Sequence, residues 1–373
     1  MTPRVAVVMG TRPEIIKLAP VVAALGPAAS PLATGQHWDA DLTDVFFAGV
    51  GMPRPVQPLR GVGGRDRAGQ VAAMLTGLTD WFRTDRPDAV VVQGDTNSAN
   101  AGAQAAHHLG IPVVHVEAGL RSFDRAMPEE VNRLVIGAVA DVHCAATRGN
   151  AEHLLRAGTP ASAVHVTGNT IVEATRRALP APAVRAAVQA AHGVVAGQYV
   201  LATVHRPENT DDPERLRALL QALDLLGLPV LLPLHPRTRA ALTAAGAVLP
   251  PAVRGTGPVD HATFLALAAG ARLLVSDSGG VQEEVTVLGK PLVVVRNSTE
   301  RPEAVDAGFA ELTGPEGVLP AARRLLRPGW PEELSRRPSP FGDGRAAERV
   351  AALTLAAAGH DGAGVLTGAL AVG

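Results

Sequence analysis

A single cysteine, Cys144, stands in 373 residues, which excludes an intrachain disulfide framework and a cysteine-rich zinc site. Aromatic residues make up only 3%, too few for the stacking platforms of single-stranded nucleic-acid binders. Charge of neither sign prevails. The formal net charge is −1, so there is no basic footprint for a duplex, and nucleic acid is not an expected partner. Long apolar runs are missing as well. The longest charge-free stretch near the start, "PVVAALGPAASPLATGQHW", is broken by proline and glycine and does not read as a membrane span. The opening "MTPRVAVVMGTRPE" has neither the apolar core nor the cleavage site of a signal peptide. A cytoplasmic protein without a membrane partner is expected.

Several chemistries also lack their signatures. "GVGGRD" follows no expected strand and has Asp66 where a dinucleotide fingerprint needs its third glycine. No G-x-x-x-x-G-K-[ST], H-E-x-x-H or G-x-S-x-G occurs, so P-loop hydrolysis, zincin chemistry and a nucleophile elbow are unsignalled. His107 and His108 read as mid-helix without partners at zinc spacing, and "DAD" at 39–41 falls in an expected loop. Neither a metal nor a cofactor is expected.

What is present is a repeating alternation. "RVAVVMG", "DAVVVQGD", "IPVVHVEAG", "YVLATVH", "PVLLPLH", "ARLLVSDSGG" and "KPLVVVR" are short apolar runs, each followed by a turn and an Ala/Leu-rich helical pattern. Such runs suit parallel strands covered on both faces. The alternation implies an α/β protein, and the length favours two doubly wound Rossmann-like domains. The proline-containing stretch 178–198 carries no strong strand signal. The expected division is 1–172, 173–345, and a final helix with a loose tail over 346–373. Ligands of such sheets sit beyond the carboxyl ends of the strands. Arg12, Asp95, Glu117, His205, His235 and Ser278 follow directly on the runs, so they are expected around one crevice.

Each motif has a plain reading beside its functional one. "SDSGGVQEE" opens a helix where Gly279 and Gly280 let the backbone approach an anion, or it is an ordinary tight turn whose Glu283 and Glu284 complement the dipole in the first helical turn. "GTRPE" places Arg12 and Lys17 near a helix start, for phosphate or for solvent. Asp95 and Glu117 end consecutive strands and so should be neighbours, although Asp95 or Thr96 could serve only as a helix cap. Glu129 and Glu130 follow Pro128 in an expected first helical turn, where acids suit the dipole; for Glu130 this plain reading is preferred. His205 and His235 stand at equivalent strand ends, each with an arginine within two residues.

Taken together, "GTRPEIIK", "QGDTNSA", "HVEAGLRSFDRAMPEEVNR", "TGNTIVEA", "HRPENTD", "SDSGGVQEE", "GKPLVVVR" and "STERPEAV" resemble the non-hydrolysing UDP-N-acetylglucosamine 2-epimerases, in order, from about residue 4 to about residue 350. The resemblance implies the GT-B fold, with two domains facing a central cleft. It implies interconversion of UDP-GlcNAc and UDP-ManNAc by anti-elimination of UDP to 2-acetamidoglucal and re-addition. The catalytic positions it implies are Asp95, Glu117, Glu129 and His205. For substrate it implies Arg12, Lys17, Phe264, Ser278, Gly279, Gly280, Glu284 and Arg301, with Glu284 at the ribose and Phe264 near the uracil. Gln36, Arg206 and His235 match a regulatory site of some bacterial members, whereas Trp38, Asp39 and Pro207 depart from their pattern. A UDP-sugar partner, a homodimer and a role in cell-envelope polysaccharide synthesis also follow from the resemblance. The wording "RSFDRAMPEE" is similar to a branch whose substrates include UDP-diacetamido-uronates. A GT-B glycosyltransferase would not need three clustered carboxylates, and a non-catalytic nucleotide-sugar-binding regulator would have no use for them.

Overall fold

The computed structural model describes residues 2–36, 44–56 and 59–359. Expectations attached to Trp38, Asp39, "DAD" at 39–41 and the tail beyond residue 359 lie outside them. The chain forms two units: one runs up to Ala174 and resumes at Phe341, and the other is Thr175–Pro340.

The first unit holds strands β1 (Val5–Met9), β2 (Ala29–Ala33), β3 (Ala89–Gln93), β4 (Val113–Ala118), β5 (Val142–Ala145) and β6 (Val164–Val166), in the order β2-β1-β3-β4-β5-β6. Every pairing is parallel. Alternate residues feed opposite faces. Val5, Val7 and Met9 join a core with helices Arg12–Leu25 and Ala346–Ala357, while Ala6 and Val8 join another with helices Arg67–Thr84 and Asn97–His108. Cys144 is buried in the first of these cores, which pushes its thiol up to about 12 and removes its nucleophilic form.

The second unit holds β7 (Val200–Thr203), β8 (Val230–Pro233), β9 (Val253–Thr256), β10 (Leu273–Ser276), β11 (Leu292–Val295) and β12 (Ala310–Thr313), again all parallel. Its order, β9-β8-β7-β10-β11-β12, is the Rossmann order. The expected α/β, doubly wound architecture is therefore present, and all seven apolar runs are strands.

The other five strands escape the apolar-run signal for a positional reason. β2, β6, β9 and β12 are sheet edges, and β5 neighbours an edge. An edge strand needs no continuous apolar run: β2 tolerates Pro31, β9 carries Arg254 and β12 carries Glu311. His107 and His108 end their helix rather than lie within it. Among the described residues, no helix is long and apolar enough to cross a membrane.

Candidate active site

In the first unit the sheet order reverses between β1 and β3, so the crossovers leave a crevice at those strand ends. Three loops deliver carboxylates there. The helix after β1 starts with Pro13 in its first turn, and Glu14 folds back to accept from the Gly10 N–H at 3.0 Å and the Thr11 hydroxyl at 2.8 Å. Thr96 Oγ1, on the β3 side, donates to the same carboxyl at 2.6 Å. Burial pushes Glu14 up to about 7 despite these hydrogen bonds.

Asp95 follows β3. Thr96, not Asp95, caps the next helix, accepting from the Ala99 N–H at 3.0 Å. Asp95 is instead held from the side by Arg133, whose Nε donates to Oδ2 at 2.9 Å and whose second nitrogen also bonds it. Arg133 is anchored in turn by Glu130, at 3.1 Å, and Glu130 accepts from the Ser122 N–H at 2.9 Å. Burial works against ionising Glu130, but the Ser122 N–H and Arg133 outweigh it and hold the carboxyl below its ordinary value. Glu130 is thus tied into the frame, whereas Glu129, one residue earlier, is half-buried and forms no hydrogen bond or ion pair among the described residues.

Glu117 is the most constrained acid. It interrupts the β4–β5 register between Val116 and Ala118 and takes φ 63°, a left-handed conformation that a side chain rarely adopts. Its oxygens accept from Lys17 Nζ at 2.9 and 2.7 Å, and Gln93 Nε2 also donates to it. Lys17, matched by resemblance to nucleotide, is therefore tied to Glu117 here. Arg12 stands over the Phe46 ring, 5.8 Å from its centroid. Gln36 Oε1 accepts from the Ser98 N–H at 2.9 Å and its hydroxyl at 2.7 Å.

In the second unit the reversal lies between β7 and β10, and a row of groups crosses the strand ends there. His235, after β8, lies with its ring centroid 5.4 Å from that of His205, after β7. Burial, together with the His205 ring, lowers the pKa of His235. Its Nδ1 accepts from the Arg237 N–H at 3.2 Å, capping helix Pro236–Ala244. Asp277, after β10, is fully buried and bonded to the His205 loop. Burial would raise its pKa, but the hydrogen bonds from His205, Asn209 and Arg206 prevail and lower it.

Ser278 and Gly279 then open helix Gly279–Leu288, and open space faces Gly280. A Cβ on Gly279 would stand 2.7 Å from Arg301 NH1, so only glycine admits the guanidinium this close. Arg301 is clamped by Glu283 at 2.8 Å and Glu300 at 2.6 Å, and Glu300 also binds Arg296 at 2.8 Å. Arg206 NH2 lies 3.9 Å from Glu300, so Arg206 and His235 both belong to the surroundings of His205. Glu283 and Glu284 lie beyond the first helical turn, contrary to the dipole reading, and each has a partner. Glu284 pairs with His261 at 2.7 Å, and Phe264 is buried one turn along the same helix. Among the described residues, no group of three His, Cys, Asp or Glu could hold a metal ion.

Each unit thus carries its own strand-end cluster, the first rich in carboxylates and the second in basic groups. The family model for UDP-N-acetylglucosamine 2-epimerase matches residues 29–355. The chain belongs to the UDP-N-acetylglucosamine 2-epimerase family. This epimerase-family chain is 35% identical over 364 residues to the UDP-N-acetylglucosamine 2-epimerase of Methanocaldococcus jannaschii, covering 93% of this chain and 97% of that one. A solved structure of a Methanocaldococcus jannaschii UDP-GlcNAc 2-epimerase with UDP-GlcNAc and UDP superimposes with a TM-score of 0.84, covering 94% of this chain and 99% of that one, at 35% identity. The Neisseria meningitidis UDP-GlcNAc 2-epimerase bound to UDP-GlcNAc gives 0.85 at 29% identity, over 95% and 100% of the two chains. The UDP-2,3-diacetamido-2,3-dideoxy-D-glucuronate 2-epimerase of Pseudomonas aeruginosa is also 35% identical, over 93% of this chain and 98% of that one.

Sequence reasoning passed over Glu14, Gln93, Arg133, His261 and Asp277 as individual residues. Glu14, Gln93, Arg133 and Asp277 lie within quoted motifs, and His261 lies in none. Only the fold reveals what each of them touches.

Proposed function

We propose that this protein is a non-hydrolysing UDP-GlcNAc 2-epimerase acting by elimination and re-addition of UDP. The C2 hydrogen of the sugar has no adjacent carbonyl to acidify it, so inversion there needs either oxidation or loss of the anomeric leaving group. In elimination a carboxylate takes the C2 proton, the C1–O bond breaks and its electron pair leaves with UDP. A C1=C2 double bond remains in 2-acetamidoglucal. Re-addition with protonation on the opposite face of C2 gives the epimer. Two faces call for more than one carboxylate, and a departing diphosphate calls for cations and N–H groups.

The first unit supplies Asp95, Glu117 and Glu129 for proton transfer. The second supplies His205, Arg301, the Ser278–Gly279–Gly280 turn and, for ribose, Glu284. Arg12 and Lys17 complete the phosphate side, and Phe264 backs the base. The observation that carries this reading is Glu117, a buried carboxylate held at positive φ between Lys17 and Gln93. Strain of this kind collects at functional sites.

Proton NMR of UDP-GlcNAc with enzyme in D2O tests it: deuterium enters C2 as UDP-ManNAc appears. Neither exchange nor product would sink the assignment. Glu117→Gln should lower exchange by roughly 10³-fold while UDP still binds. The Pseudomonas aeruginosa relative supports a second reading, a UDP-diacetamido-uronate substrate, and the same assay with that sugar decides between the two. The family reading extends to a cytoplasmic homodimer that supplies activated sugar for cell-envelope polysaccharide; sedimentation velocity tests the dimer. It also extends to regulation through Gln36, Arg206 and His235, for which a sigmoidal dependence of rate on UDP-GlcNAc is the test.

A further inference from the structure

His205 has a partner whose position follows from the sheet. β7 and β10 are neighbours in register, with Thr203 opposite Ser276 and their hydroxyls 2.7 Å apart. One step beyond the strands, Asp277 therefore meets the start of the His205 loop. Its Oδ2 accepts from the N–H groups of His205 at 3.0 Å and Arg206 at 2.8 Å, and from Asn209 Nδ2 at 3.0 Å. Its Oδ1 lies 3.0 Å from His205 Nδ1. The carboxylate has no exposure, while the His205 side chain retains 34%.

We propose that Asp277 is a positioning residue: it fixes His205 with Nδ1–H turned inward and Nε2 turned outward, so the ring works through Nε2. This rests on the reading of His205 as the group facing the departing diphosphate. A carboxylate accepts and does not donate, so a ring nitrogen bonded to it must carry the proton. The other nitrogen is then a donor in the imidazolium and an acceptor in the neutral ring. In elimination Nε2–H gives its proton to the UDP oxygen that receives the C1–O electron pair, and in re-addition the neutral Nε2 takes it back. The arrangement also couples two parts of this cluster, because Asp277 immediately precedes the Ser278–Gly279–Gly280 turn. A shift of the histidine loop and a shift of the phosphate turn are thus one movement. His235 does not compete for Asp277, since its Nδ1 is committed to the Arg237 N–H.

Asp277→Asn separates positioning from mere support of the loop. With its carbonyl in the Oδ2 position, the amide still accepts from His205 N–H, Arg206 N–H and Asn209. The bond to the ring is inverted, because the amide nitrogen now donates to Nδ1 and forces the Nε2–H tautomer. Besides it, the His205 N–H loses its 3.1 Å contact with Oδ1 and keeps the 3.0 Å bond to the other oxygen. The expected result is a fall in kcat of at least about 10²-fold, with KM and the UDP dissociation constant within about threefold. In parallel, ring 15N shifts at alkaline pH, assigned with His205→Gln, should show Nδ1–H in the wild-type enzyme. Wild-type kcat in Asp277→Asn, or UDP affinity falling by the same factor as kcat, would overturn the proposal. So would an Nε2–H tautomer in the wild-type protein, a measurement that needs no variant to fold. His205→Gln at full activity would overturn the reading of His205 itself, whereas an inactive His205→Gln beside a fully active Asp277→Asn would overturn only the role of Asp277.

Discussion

The two strand-end clusters solve one problem in opposite ways. In the first unit, proposed catalytic carboxylates are held by buried cations: Glu117 by Lys17 and Asp95 by Arg133. In the second, basic groups are held by buried carboxylates: His205 by Asp277, Arg301 by Glu283 and Glu300. Burying an unpaired charge costs several kcal/mol, so each unit neutralises its own site before any substrate arrives. What stays uncommitted then stands out. In the acidic cluster it is Glu129, and in the cationic one it is the helix opening at Gly280.

The largest effect on stability should come from breaking the acidic cluster at its cation. Lys17→Met removes the ammonium from two nearly inaccessible carboxylate oxygens and should destabilise the first unit by about 3–5 kcal/mol in denaturant unfolding. Adding Glu117→Gln to that variant should recover much of the loss, because the stranded charge goes with it.

Next in size is a pH effect of opposite sign in the two units. Glu14 is raised from 4.5 to about 7, so the native state binds its proton more tightly. Its contribution is full below about 4.5 and is lost as pH rises through 7, on the order of 3 kcal/mol. Glu300 goes the other way. Burial would raise it, but Arg301 and Arg296 hold it down to about 2, so its contribution is present above 4.5 and is lost as pH falls toward 2. Unfolding of the wild-type enzyme and of Glu14→Gln across this range, followed unit by unit by hydrogen exchange, should show the neutral-side slope vanish only in the first unit.

Gly279→Ala sharpens the contrast from the cationic side. The new methyl meets Arg301 at 2.7 Å and should cost the second unit about 1–3 kcal/mol, together with UDP affinity, while the first unit keeps its stability. The smallest stability change belongs to Glu129→Gln. It should stay within about 0.5 kcal/mol of wild type while C2 exchange is lost. Glu130→Gln, by contrast, loosens Arg133 and with it Asp95, so unfolding and exchange should both respond.

The interior strands other than β5 were legible in the sequence because burial on both faces demands continuous Val and Leu, as in "AVVVQ" and "LVVV". Edge strands such as "ASPLA" and "AELT" are under no such demand and pass for loop. Asp95 and Glu117 were legible as residues at strand ends, because a parallel sheet presents those ends together. Their partners were not. Arg133 reaches Asp95 across 38 positions and Asp277 reaches His205 across 72, separations that only strand order closes. His261 gave no signal, since nothing in "VDHATF" points to Glu284 until helix His261–Gly270 packs on helix Gly279–Leu288.

One feature of chain routing governs how the protein is made. The first unit lacks its last helix, Ala346–Ala357, until the whole of Thr175–Pro340 has been synthesised. That helix covers Arg12–Leu25 and the middle strands with Val350, Ala351 and Leu353. On the ribosome the second unit therefore emerges complete while the first still exposes an apolar face. The first unit, begun first, is the last to be completed.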